Sequence, residues 1–145
     1  MLKKTLLLIM TIAVLGGCAA RQNATVGQPT DSEAIVLPEF LQNSSSKTRS
    51  AYRYAMEHPE TVDKYPCYCG CGRMGHTSNL DCYIQDIDAE GNITFDTHAV
   101  ACEICVDITM DVARLTNASK SDAEISTLID NVYSAFGPAT THNME

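Results

Sequence analysis

The chain has no tryptophan, only 6 % aromatic residues, and ten basic residues against eighteen acidic ones. That shortage of positive charge argues against nucleic-acid binding, because phosphate contacts need clustered Lys and Arg. Long apolar runs are also lacking. The best, Leu6 to Leu15, covers about ten residues and is too short for a spanning helix. No P-loop, Ser-His-Asp arrangement or paired-carboxylate motif stands out, so the sequence gives no indication of enzymatic turnover. No internal repeat is visible.

What the chain does have is cysteine. Six of its seven cysteines and two of its four histidines lie between Pro66 and Cys105. The remaining cysteine, Cys18, belongs to another pattern. Lys3 and Lys4 precede the short apolar run, and Leu15-Gly16-Gly17-Cys18 follows it. This pattern looks like a bacterial lipobox, with 1-17 a signal peptide cleaved before a diacylated Cys18. The alternative is an ordinary signal peptide with a chance cysteine. The lipobox predicts a protein held by lipid at the extracytoplasmic face of a bacterial cell membrane. Loss of Lys3 and Lys4 leaves eight basic residues against eighteen acidic ones, a net charge of −10. Such a surface suits the handling of cations.

The predicted organisation is a lipidated tether over 18-44, a Cys-rich domain over 45-138 and a tail over 139-145. Within the tether, Ile35, Val36, Leu37, Phe40 and Leu41 can pack back onto the domain. A first helix is expected from Lys47 to Glu57 with Ser46 as its cap and Ala51, Tyr52, Ala55 and Met56 on one face. His58-Pro59 stops it, and Pro59 to Lys64 can add one turn. Gly70, Gly72 and Gly75 make residues 67-75 a loop. Two alternating stretches, 83-87 and 92-95, flank Asp88-Ala89-Glu90-Gly91 and predict a short hairpin. Residues 98-115 read as one helix. A last helix starts at the capping box Ser121-Asp122-Ala123-Glu124, buries Ile125, Leu128, Ile129, Val132 and Phe136, and ends at Gly137-Pro138. The expected fold class is mainly α, a small helical domain with one short β-hairpin.

Cys67, Cys69 and Cys71 are separated by single residues, a spacing that turns several thiolates toward one point or toward adjacent ions with shared sulfurs. On a continuous helix, His98, Cys102 and Cys105 occupy a stripe about 60° wide. Adding His76 and Cys82 gives a ligand set of Cys67, Cys69, Cys71, His76, Cys82, His98, Cys102 and Cys105. Thiolates and imidazoles select soft ions, Cu(I) or Zn(II), in two tetrahedral sites or a multinuclear cluster. A metal-transfer partner protein is the natural corollary. Two other readings use the same residues. One is a surface interaction module stapled by three disulfides, favoured by the compartment. The other is a thiol-disulfide oxidoreductase working through Cys69-Gly70-Cys71.

The sequence Pro66-Cys67-Tyr68-Cys69-Gly70-Cys71, followed by Gly75-His76, Asp81-Cys82-Tyr83, Gly91, His98 and Cys102-x2-Cys105, resembles the bacterial lipoprotein family named for its PCYCGC motif. The hexapeptide is complete, and the resemblance spans residues 48-137. The family is largely uncharacterised, so the resemblance implies a lipoprotein and a grouping of these positions, without a reaction.

Weaker signals surround this core. Met74 offers a thioether, though loop methionines more often pack. Asp81 can orient an imidazole, with a solvated carboxylate as the default. Asp86-x-Asp88-x-Glu90-Gly91 imitates an EF-hand start, yet Thr97 stands where a bidentate Glu is required, which leaves an acidic turn. His58 and His142 have no cysteine neighbours and read as surface residues.

Overall fold

The computed structural model describes residues 36-141. The signal, Cys18, most of the tether and His142 lie outside the described residues. The elements in order are α1 (Ser46–Glu57), α2 (Pro59–Asp63), β1 (Ile84–Ile87), β2 (Ile93–Phe95), α3 (His98–Ala101), α4 (Glu103–Asn117) and α5 (Asp122–Tyr133), with short 3-10 turns at Glu39–Leu41, Cys71–Met74 and Leu80–Cys82. The domain is mainly helical with one two-stranded hairpin, as expected. No described helix is long and apolar enough to cross a membrane.

α1 begins one residue before the expected start. Ser45, not Ser46, is the cap, and its side chain accepts from the Thr48 amide at 3.0 Å. Thr48, Ala51, Tyr52 and Ala55 form its buried face, which lies against α4. Leu41 is fully buried, Leu37 packs against the core and Phe40 meets Tyr52 and Phe95 edge-on, whereas Val36 is 87 % exposed and Ile35 lies outside the described residues. The hairpin is antiparallel, pairing Ile84 with Phe95 and Ile87 with Ile93 around an irregularity between Ile84 and Asp86. Asp88 closes its turn by accepting from the amides of Glu90 and Asn92. The acidic stretch is thus an Asx-type turn.

α4 is the central helix, packed on α1 and on α5. Ile108, Val112 and Leu115 from α4 and Ile125 and Ile129 from α5 join one core. The capping box at α5 is present in both directions. Its apolar stripe differs from expectation. Ile125, Ile129 and Tyr133 are buried, whereas Leu128, Val132 and Phe136 are 41, 53 and 61 % exposed. α5 has α4 as its main neighbour, so it buries the narrow i, i+4, i+8 row and leaves the adjacent row to solvent. It also ends earlier, at Tyr133, whose hydroxyl donates to Asp111 at 2.8 Å.

The single helix expected over 98-115 is two. Cys102 is extended (φ −124°, ψ 100°), separating α3 from α4. A continuous helix would place His98 and Cys105 about 10 Å apart along its axis. Yet the His98 imidazole and the Cys105 thiol both touch Cys69. Breaking the ladder at Cys102 folds the two ligands back toward one point.

Candidate metal centre

Three segments deliver the cysteines. The first is the loop after Pro66. Both polar backbone groups of Cys67 are bound by Thr140, whose hydroxyl accepts from the Cys67 amide and whose amide donates to the Cys67 carbonyl, each at 2.9 Å. Gly70 (φ +84°) and Gly75 (φ +95°) flank the turn at Cys71 in the left-handed region that favours glycine. Gly137 presses on the same loop, since a Cβ there would lie 2.8 Å from the Tyr68 carbonyl oxygen. The second segment carries Cys82, in a turn fixed by Asp81, which accepts from the amides of Thr77 and Ser78. The third is the α3–α4 corner, where Asp96 accepts from the His98 amide at 2.6 Å. Asn79 ties the second segment to the third, its amide donating to Thr109 at 2.6 Å and to the Cys105 carbonyl at 3.4 Å.

The sulfurs converge. Cys67, Cys69 and Cys105 form a near-equilateral triangle with sides of 3.4, 3.5 and 3.6 Å. Cys82 joins them, and Cys71 lies 3.7 Å from Cys82. The Nε2 of His98 is 3.3 Å from Cys69, and the Nδ1 of His76 is 3.5 Å from Cys82. Two sets of four donors, Cys67/Cys69/Cys71/Cys82 and Cys69/Cys82/His98/Cys105, have all their ligand atoms within 4.8 Å of one another. Sulfurs around a tetrahedral ion at about 2.3 Å stand about 3.8 Å from each other. A disulfide would need about 2.05 Å. All six described cysteines are free thiols, so the Cys/His cluster could hold a metal ion.

Ionisation inside the cluster is uneven. S–H donation, from Cys105 first and then Cys82, holds Cys67 far below the ordinary thiol range. Cys69 is brought down to about 5, chiefly by Cys82 with help from His98 and against the cost of burial. The donors are pushed the other way. Cys82 is raised because its proton is shared first with Cys105 and then with Cys67, Cys69 and Cys71. Cys105 is raised mainly by its bond to Cys67. Some sulfurs thus hold negative charge while their neighbours supply protons, and a cation would replace those protons.

Of the eight expected ligands, Cys67, Cys69, Cys71, Cys82, His98 and Cys105 fall in the two close sets. His76 is outside both but touches Cys82, and its ring meets that of His98 edge-on at 5.5 Å between centroids. Cys102 is half-buried at the corner and in neither set; burial raises its thiol. Met74 is 59 % exposed. It lines an open cavity of about 620 Å³ together with His76, Asp96 and His98. Asp81 is not an imidazole partner. That place is nearer to Asp96, 3.8 Å from the His76 Nε2. An Asp two residues before a helix-opening His was a signal for it. Nothing in the sequence pointed to Thr140 or Asn79.

A family model for a protein of unknown function with PCYCGC motif matches residues 8–144. The chain belongs to the PCYCGC family. No curated protein and no solved structure matches it. The PCYCGC hexapeptide itself supplies three of the six close donors, Cys67, Cys69 and Cys71. The others come from the hairpin's entry and from the α3–α4 corner.

Proposed function

We propose that the protein is a lipid-anchored binder of soft metal ions, Cu(I) or Zn(II), at the extracytoplasmic face of a bacterial cell membrane, which sequesters the ion or passes it to a partner protein without turnover. Anchoring through diacylated Cys18 rests on the lipobox alone. The observation that carries the metal reading is convergence. Disulfide staples separate cysteines into pairs, whereas here Cys67, Cys69 and Cys105 each touch the other two. Thiolates and imidazole together select soft or borderline ions. The cavity lined by Met74, His76 and His98 opens on the imidazole side of the cluster, where Nε2 of His98 and Nδ1 of His76 touch Cys69 and Cys82. Cys67, Cys71, Cys82 and Cys105 are buried, while Cys69 is half-buried.

The test is anaerobic purification followed by native mass spectrometry, elemental analysis and thiol counting. Bound Cu or Zn, with six reactive thiols after its removal, supports the reading. A metal-free protein six mass units light carries three disulfides, and that result would eliminate it. One observation favours a second reading, thiol-disulfide exchange. Cys69 is both accessible and acidified to about 5, as an attacking thiol should be. Cys67 and Cys105 lie 3.4 and 3.6 Å from it, and Cys71, the partner expected from the Cys69-Gly70-Cys71 spacing, lies within 4.8 Å. Preferential alkylation of Cys69, with a reversible two-mass-unit loss and reduction of a disulfide substrate, would favour exchange over metal binding.

A further inference from the structure

We propose that the cluster is a two-ion centre in which the sulfurs of Cys69 and Cys82 bridge two soft, thiophilic cations. This rests on the metal-binding reading and adds the number of ions and the role of each ligand.

The two close sets of donors intersect in Cys69 and Cys82. Since Cys67 and Cys105 are also only 3.5 Å apart, the four sulfurs of Cys67, Cys69, Cys82 and Cys105 make a compact tetrahedron of their own. A single ion at its centre would use those four and nothing else. Two good donors would then stand idle. Cys71, 2 % exposed, has its sulfur 3.7 Å from Cys82. His98 has its Nε2 3.3 Å from Cys69. Cys71 caps the face made by Cys67, Cys69 and Cys82, and His98 caps the face made by Cys69, Cys82 and Cys105. Both faces contain the Cys69–Cys82 edge. One ion under each cap engages all six donors, with Cys67 and Cys71 terminal on one ion and His98 and Cys105 terminal on the other.

Charge supports the pair. A divalent ion on these four thiolates, three of them buried, leaves two units of negative charge, which a low-dielectric site tolerates poorly. A second divalent ion recruits one further thiolate and leaves one unit. Bridging is chemically ordinary for thiolates, because a sulfur retains lone pairs after binding one ion, and Cu(I) and Zn(II) both accept it. Two ideal tetrahedra sharing an edge, with metal–sulfur bonds of about 2.3 Å, place their ions about 2.7 Å apart.

Anaerobic titration of the full chain in detergent, with Zn(II) alone and with Cu(I) alone, tests the proposal by native mass spectrometry. The expected result is two ions per chain at saturation with at least one of the metals. X-ray absorption of that form should show a metal–metal vector near or modestly beyond the edge-sharing distance. Cys71→Ser and His98→Ala should each reduce the count to one. His98 is the safer variant because it is half-exposed. Saturation at one ion with both metals would overturn the two-ion centre while leaving single-ion binding intact. Two ions retained by both variants would overturn the ligand assignment. No binding of either metal would remove this proposal together with the reading beneath it.

Discussion

Around α5 and the part of α4 from Ile108 onward the core is hydrocarbon, with Ile108, Val112, Leu115, Ile125 and Ile129 buried in it. Around residues 67-82 and the α3–α4 corner the same continuous core carries sulfur, with Cys67, Cys71, Cys82 and Cys105 buried in it. The difference is one of what each interior depends on. Apolar side chains attract at any pH and need no partner from outside. Neutral thiols pack in the same way, but each sulfur that ionises brings a buried charge that must be met by a neighbour's proton or by a cation. The helical end is therefore self-sufficient, and the cysteine end is conditional.

The largest expected effect separates the two directly. Free ion at a thousand times its dissociation constant should stabilise the elements that hold it by about 4 kcal/mol. Amide hydrogen exchange with and without a chelator should slow in residues 67-83 and 98-106 by up to about a thousandfold. Exchange within α5 should change much less. Equal protection at both ends would show one cooperative unit and break the comparison.

The second effect acts on the other end. Ile108→Ala should cost about 2–5 kcal/mol in urea unfolding, the usual range for a truncated core side chain, since Ile108 is fully buried. The loss should be the same with metal present or absent. A variant whose metal affinity collapses along with its stability would mean that the hydrocarbon core sets the cysteine geometry.

Third comes pH. Cys82 and Cys105 are held protonated by the bonds they make to neighbouring sulfurs, so an ion that binds them at neutral pH must expel those protons. Affinity should therefore fall with falling pH, by about tenfold per unit for each proton released. Chelator competition at pH 6, 7 and 8 measures the slope. A flat profile would exclude both thiols as ligands.

The same division decides what could be read from the sequence. The helical end announces itself locally. Ser121-x-x-Glu124 fixes where α5 begins, Pro59 fixes where α1 gives way to α2, and Gly91 sits in the hairpin turn. The cysteine end is assembled from residues as distant as Cys67 and Thr140, and no local pattern encodes that meeting. The spacing of His98, Cys102 and Cys105 pointed to a common face, and His98 and Cys105 do meet at Cys69. They meet because the helix breaks at Cys102. Cysteine carries no strong breaking tendency, and only the requirement that both ligands reach one sulfur reveals the corner. The stripe on α5 failed for a related reason. Periodicity shows which residues can face a core, whereas the number of neighbouring elements decides how many do.

The smallest effect tests whether the helical end is as independent as it looks. The Ser121 hydroxyl accepts from the Glu124 amide at 3.4 Å, and the Glu124 carboxylate accepts from the Ser121 amide at 2.9 Å and from Lys120 at 2.8 Å. Lys120 first, then Ser121, brings the Glu124 carboxyl down to about 2. A carboxyl lowered on folding stabilises above its ordinary pKa, and that contribution fades as pH falls toward 2. Ser121→Ala should therefore cost about 1 kcal/mol near neutral pH, and less by pH 3, where Glu124 in the variant has lost its serine partner and begins to protonate. Urea unfolding of wild type and variant at the two pH values measures this. Metal affinity should not move at neutral pH, because the capping box touches none of the cluster's donors. A shift in affinity would mean that α5, through the Tyr68 hydroxyl bonded to Asp130, sets the position of the cysteine loop, and the two ends would then be one.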